Sequence, residues 1–351
     1  MELFAQWWNR IRGRHGMEEA RCVALVLGGG GARGLAHLGA IEALQAQGFR
    51  ITSVAGTSMG ALVGGLFAAG KINEAKNIAE RLTRRRVLRM MDISPGLDHI
   101  ATGGRFMQLL DSLIGDVRIE DLPIPFCCSA SDVVSRQEVV FRSGPLSTAI
   151  RASISIPGFF KPVTLDNRIL VDGSLHNTLP LDRVQRHPGD LLIAVNVSAP
   201  DDKPFPTRLK QDNLTADRPF GTYLKQNNPK ADASFGAHFK QNNHQTDTSF
   251  SSHKQHDARA SSMFSSLWHR LPLLRAFLKT ELSTNYMNMA LRVAQISIQN
   301  NTQMAMRLTP PDLCLNLPMS TFGLFDFDKA PEIINQGHQQ MLHLLTSSPL
   351  T

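Results

Sequence analysis

Apolar positions fall into short unbroken runs, each followed by a stretch with helical spacing, and this alternation recurs through the N-terminal half of the chain. Cys22 to Leu27 is a run suited to a central strand, and Leu35, Leu38, Ile41 and Leu44 repeat at helical intervals behind it. Ile51 to Ala55 predicts a second buried strand and Ala61 to Ala69 a helix rich in small residues. Ile169 to Val171 reads as a strand end, Ala194 to Ser198 as a core strand and Asp312 to Leu317 as another. Helices are predicted over Glu281 to Asn300, with Leu282, Met289, Val293 and Ile296 on one side, and over Ala330 to Leu345. Such βα alternation predicts an α/β fold with a central, mostly parallel sheet flanked by helices.

Between Pro200 and Ser262 the pattern stops. This stretch is polar, rich in Asn, Gln, His, Asp and Lys, and repeats every 15 residues. Leu209-Lys210-Gln211-Asp212-Asn213 recurs as Leu224 to Asn228 and again as Phe239 to Asn243, with Phe220, Phe235 and Phe250 in constant phase. So few apolar residues cannot build a solenoid core, so a disordered insertion is expected.

Two glycine-rich turns carry the candidate chemistry. In Gly56-Thr57-Ser58-Met59-Gly60, Ser58 stands on the sharp bend between a predicted strand and a predicted helix, the context of a nucleophile elbow. Gly56 and Gly60 leave room for strand and helix to pack closely, and the helix dipole favours negative charge at the serine. A tight turn with a capping serine has the same sequence, so both readings stand on this motif alone. The first turn, Gly28 to Gly34, offers consecutive backbone N–H groups at a strand end, suited to a developing oxyanion. Gly29, Gly31 and Gly34 also spell a dinucleotide fingerprint, which expects an acidic residue about 20 positions on. Gly48 to Ser58 contains neither Asp nor Glu, which disfavours that reading. Asp172-Gly173, at a strand end, supplies a carboxylate that could face inward, although an isolated Asp-Gly is ordinarily a turn.

Taken in order and spacing, Gly29-Gly30-Gly31-Ala32-Arg33-Gly34, Gly56-Thr57-Ser58-Met59-Gly60 and Asp172-Gly173 resemble the patatin-like phospholipases. Ala149 to Val163, Leu122 to Asp132, and Asn177 with Pro180 match further blocks of that family, and Phe322 to Phe327 echoes it more weakly. The resemblance covers roughly Cys22 to Ser198. It implies a patatin-like fold and a serine lipid acyl hydrolase of phospholipase A or lysophospholipase type, with Ser58 as nucleophile and Asp172 as base. Gly29, Gly30 and Gly31 would form the oxyanion loop, and Gly34, Gly56, Gly60 and Gly173 would support the motifs. Arg33 falls on the basic position of the glycine loop, either contacting an anion or phosphate or tied to a loop carbonyl. Ser174 departs from the Ala or Gly usual after Asp-Gly in the family. A Ser-His-Asp alternative would draw on His37, His176 or His187. Neither metal nor organic cofactor is expected, since no Asp or Glu spacing resembles a calcium loop. Transacylation through the same acyl-enzyme, or a non-catalytic lipid-binding scaffold, are the rival functions.

The chain thus divides into a basic and aromatic extension (1–20), a patatin-like catalytic region (21–199), the repeat insertion (200–262) and a C-terminal part (263–351) completing the catalytic domain. Net charge is +7 over 351 residues, which favours anionic lipid. Basic residues mix with large apolar ones in Phe4 to Arg14, Arg81 to Arg89 and Trp268 to Lys279, each suited to an interfacial helix or, more plainly, to a solvated face. No nucleic-acid partner is expected, because no recognised module accompanies the arginines. Cys22, Cys127, Cys128 and Cys314 lack metal-ligand spacing, three of them lie in apolar strand-like runs, and they read as buried free thiols compatible with a reducing cytoplasm. With no signal-peptide core and no apolar stretch near about 20 residues, a cytoplasmic or peripheral-membrane location is expected.

Overall fold

Cys22–Leu27 (β1) is buried from Val23 onward because both its faces are covered, which is why its sequence is apolar without alternation. The computed structural model describes residues 21–92, 101–201 and 286–348, with side chains in the last segment from residue 292. Within it β1 runs parallel to Arg50–Thr57 (β2) on one side and Leu191–Ala199 (β7) on the other. Phe126–Asp132 (β3) lies parallel beyond β2, and Leu313–Pro318 (β8) parallel beyond β7. Gln137–Phe141 (β4) and Arg168–Asp172 (β6) pair antiparallel with β3, and Val163–Leu165 (β5) with β6. The result is an eight-stranded sheet in the order β5-β6-β3-β2-β1-β7-β8, with β4 attached to β3.

Successive β1 side chains point to opposite layers. Val23, Leu25 and Leu27 join the larger core with Ala36–Ala46 (α1), Met59–Ala68 (α2) and Ala330–Ser347 (α8). Ala24 and Val26 join a smaller core with Leu179, Leu181 and Ala305 of Tyr286–Leu308 (α7). Ile72–Glu80 (α3) packs against α2, Arg84–Met91 (α4) against Gly104–Ile114 (α5), and α5 against Leu146–Ser153 (α6), which also meets α2, β3 and β6. The sequence pattern singles out neither α3 nor α5 as a helix, because each is strongly polar on one face, whereas α4 falls on the basic stretch Arg81 to Arg89 that suited an interfacial helix or a solvated face. Helix α7 runs on to Leu308, past the expected end near Asn300.

One topological detail positions the site. β4 pairs with β3 from Cys128 to Asp132, while β2 pairs with it up to Ser129 and β6 from Ala130 onward. A strand has two edges, so β2 and β6 share the edge opposite β4, end to end. Thr57 stands opposite Ser129 and Asp172 opposite Ala130, which brings the residues that follow β2 up against the end of β6. The aromatic extension before residue 21, the repeats beyond residue 201 and Trp268 to Lys279 lie outside the described residues.

Candidate active site

Ser58 joins β2 to α2 with φ 54° and ψ −121°, a conformation costly for a non-glycine residue and characteristic of a strained strand-to-helix bend. The bend closes only because its flanks lack side chains. A Cβ on Gly60 would fall 2.0 Å from the Leu27 carbonyl oxygen, and one on Gly56 would fall 2.3 Å from that of Gly60. The Ser58 N–H donates to Ser153 Oγ at 2.8 Å, and Ser153 Oγ in turn donates to the Ser129 carbonyl at 2.7 Å. Ser153 therefore braces the bend, a role that the sequence signals only by its presence in the block from Ala149 to Val163.

From this bend Ser58 Oγ donates to Asp172 Oδ2 at 2.5 Å. Asp172 Oδ1 accepts the Ser174 N–H at 2.8 Å, so both carboxylate oxygens are held, and the Asp172 backbone N–H donates to the Ser155 carbonyl at 2.9 Å. Ser58 and Asp172 are only 5% and 4% exposed. Burial raises the Asp172 pKa above the ordinary carboxylate value, opposed by the hydrogen bonds from Ser58 and from the backbone and side chain of Ser174. Gly173 leaves space for this arrangement, since a Cβ there would meet the Ser129 carbonyl oxygen at 2.2 Å.

The glycine loop divides into spent and open donors. Gly28 N–H donates to Val195 O, prolonging the ladder between β1 and β7, and Gly29 N–H to Thr178 O in the loop after β6, both at 3.0 Å. Gly29 thus has no N–H left for an oxyanion, which corrects its assignment to the oxyanion loop; its contribution is space, with Ser58 Cβ only 3.3 Å from where a Cβ on Gly29 would lie. Among the described residues no acceptor takes the N–H of Gly30 or Gly31. Gly31 has φ 59° and lies under Leu324, whose carbonyl accepts the Ala32 N–H at 2.9 Å. Gly34 abuts Met59, with room for no side chain of its own.

Arg33 turns away from the site. Its Nε donates to Val197 O at 2.8 Å and its Nη1 to Phe322 O at 3.0 Å, and burial lowers its pKa to about 10. Two of the three guanidinium nitrogens are thus given to carbonyls, the loop-tied alternative of the two expected for Arg33. It ties the glycine loop to β7 and to the segment after β8, which sequence reasoning touched only as a weak echo. Nor do the histidines reach the pair. His37 Nε2–H donates to Gly28 O at 2.8 Å, with a pKa lowered by burial to about 4, and His176 Nδ1 lies 2.8 Å from Ser131 Oγ. Among the described residues neither these nor His187 hydrogen-bonds Ser58 or Asp172.

Beside Ser58 opens a cavity of about 170 Å³, walled almost wholly by apolar side chains from α2 to α5 and by Phe160, Leu324 and Phe325. An apolar chain fits such a lining, and a polar ligand would lose its hydration there. Among the described residues no cluster of three or more His, Cys, Asp or Glu could hold a metal ion, and no helix is long and apolar enough to cross a membrane. All four cysteines are free thiols; Cys127 and Cys128 are buried as expected, while Cys22 and Cys314 are only partly so, and burial pushes the pKa of Cys127 up to about 11.

The patatin-like phospholipase family model matches residues 25–184. An uncharacterized NTE family protein of Mycobacterium tuberculosis is 42% identical over 194 residues, covering 55% of this chain and 53% of its own. Neuropathy target esterase sws of Drosophila melanogaster is 32% identical over 187 residues (51% of this chain, 13% of its own). Lysophospholipase NTE1 of Saccharomyces cerevisiae is 32% identical over 189 residues (52% and 11%). The chain thus spans about half the length of the mycobacterial relative and a small part of the other two. Among solved structures, VipD from Legionella pneumophila superposes with a TM-score of 0.41 at 14% identity, covering 94% of this chain and 67% of its own, too loosely to carry an argument. The segment that matches the patatin-like phospholipase family holds both glycine turns, with Ser58 and Asp172, so the likeness falls on the part of the chain that carries the candidate site.

Proposed function

We propose that this protein is a serine lipid acyl hydrolase of the phospholipase A or lysophospholipase type, working through Ser58 and Asp172. The observation that carries the reading is the 2.5 Å hydrogen bond from Ser58 Oγ to a buried Asp172 carboxylate beside an apolar cavity. As Ser58 Oγ attacks the acyl carbonyl, its proton passes to Asp172 Oδ2, and the burial that raises the Asp172 pKa makes it a stronger base than an ordinary carboxylate. Negative charge on the carbonyl oxygen would be taken by the open N–H groups of Gly30 and Gly31. Collapse expels the alcohol, which regains its proton from Asp172 and leaves an acyl ester on Ser58. Asp172 then deprotonates water for attack on that ester and returns the proton to Ser58 Oγ as the second tetrahedral intermediate collapses, releasing the fatty acid and restoring the serine. The acyl chain would occupy the apolar cavity throughout.

Two sets of names support lipid as the substrate class: the phospholipase family of residues 25–184 and the lysophospholipase and esterase names of the yeast and fly relatives. Transacylation shares every step up to the acyl-enzyme and differs only in the acceptor. A test is fatty-acid release from mixed phospholipid and lysophospholipid vesicles in EDTA. Wild type releases fatty acid, Ser58→Ala none above background, and Asp172→Asn about 10²–10⁴-fold less than wild type, the range for losing a general base. Undiminished release by Asp172→Asn would remove Asp172 from the chemistry.

A further inference from the structure

Helix α4 has two faces. Val87, Met90 and Met91, at helical spacing, turn inward and line the cavity beside Ser58, while Arg85, Arg86 and Arg89 share the outer face and are exposed. Arg81, exposed one turn earlier, extends the basic surface. Among the described residues no carboxylate lies within ion-pair distance of Arg81, Arg85, Arg86 or Arg89. Four like charges with no acidic partner among the described residues repel one another, and the fold keeps them together beside an opening.

That opening is a cleft of about 310 Å³ flanked by Arg81 and Arg86. Its floor is apolar, and Ile78, Leu82, Met90 and Leu109 are walls both of this cleft and of the cavity at Ser58. Cationic heads around an apolar floor match a phospholipid, whose phosphate sits at the same depth as the heads of its neighbours and whose chain lies below. A soluble polyanion would satisfy the arginines and leave the apolar floor in water. We propose that α4, with Arg81 before it, is the surface by which this protein docks on an anionic phospholipid membrane, its arginines taking lipid phosphates and the cleft between Arg81 and Arg86 receiving an acyl chain on the way to Ser58. This inference rests on the lipid acyl hydrolase reading and adds the surface through which substrate arrives. Attraction of basic side chains to an anionic leaflet falls off within a Debye length, so docking is sensitive to salt.

The test is vesicle flotation with the full chain carrying Ser58→Ala, so that nothing is hydrolysed. It should float with vesicles of phosphatidylglycerol and phosphatidylcholine at low salt, and poorly with phosphatidylcholine alone. Changing Arg81, Arg85, Arg86 and Arg89 to Gln should lower the partition constant by about a hundredfold or more, because each basic residue near an anionic surface strengthens partitioning several-fold. The milder pair Arg85→Gln and Arg89→Gln, at exposed positions, should lower it about tenfold and covers failure of the fourfold variant to fold. An equal loss of charge at the exposed Arg136, Arg142, Arg168 and Arg307, which lie elsewhere in the chain, should change binding less than threefold or so. Retained binding in the α4 variants, or an equal loss in the control, overturns the proposal. Flotation is read without catalysis, so its failure leaves the hydrolase reading standing, and loss of fatty-acid release with flotation intact would sink that reading alone.

Discussion

Two buried titratable residues beside the glycine loop pull stability in opposite directions with pH. His37 is buried as the neutral form, so its folded pKa of about 4 lies below the unfolded value of about 6.5. The unfolded chain binds more protons in that window, and the stability contributed by neutral His37 is full above it and lost as pH falls through it, by about 3 kcal/mol. His37→Gln keeps a donor for Gly28 O without a titration, so its unfolding free energy should vary less than that of wild type between pH 6.5 and 4, by about that amount, in urea melts at each pH. Asp172 is the reverse case: its pKa is raised, so the native state holds its proton longer and stability declines as pH rises past the unfolded value. A base with a raised pKa also sets the acid limb of the rate profile above the ordinary carboxylate range. The Ser174 hydroxyl opposes that rise, so Ser174→Ala should move the acid limb of kcat/KM to higher pH, and a limb that stays or moves down would remove Ser174 from the tuning of Asp172.

At the scale of elements, the glycine loop is held from behind by one close helix pair. α1 crosses α8 so closely that a Cβ on Gly39 would fall 1.9 Å from the Ile334 carbonyl oxygen and 2.6 Å from the His338 nitrogen. Both are backbone atoms and cannot swing aside, so Gly39→Ala should destabilise by about 1–3 kcal/mol, read as a lower urea midpoint with unchanged slope. β1, β2 and the helices behind each were legible in the sequence because a parallel strand buried on both faces is an unbroken apolar run. Ser58 and Asp172 were legible as motifs, while their contact depends on β2 and β6 sharing one edge of β3, a pairing that no local pattern carries. The open and spent N–H groups of the glycine loop were illegible for a similar reason. Whether Gly29 or Gly30 keeps a free donor depends on Thr178, far along the chain. Helices α3 and α5 escaped, and α4 read equally as a solvated basic face, because short helices with one polar face look like surface, although the apolar faces of all three build the wall of the cavity.

For the molecule as a whole, the family segment does not stand by itself. Residues 25–184 hold Ser58 and Asp172, but the sheet continues into β7 and β8, and α8 covers α1. Arg33 joins these parts, bonding at once to β7 and to Phe322, while Leu324 covers Gly31 and lines the cavity with Phe325. Parts contributed from both ends of the described chain thus meet at one serine, and the proposed chemistry stands or falls with that serine as the nucleophile. Fluorophosphonate labelling of wild type, Ser58→Ala and Asp172→Asn, followed by intact mass and peptide mapping, decides it. A single adduct is expected on the peptide containing Ser58, absent from Ser58→Ala and formed far more slowly in Asp172→Asn. An adduct on another serine, or none on folded wild type, would contradict the assignment.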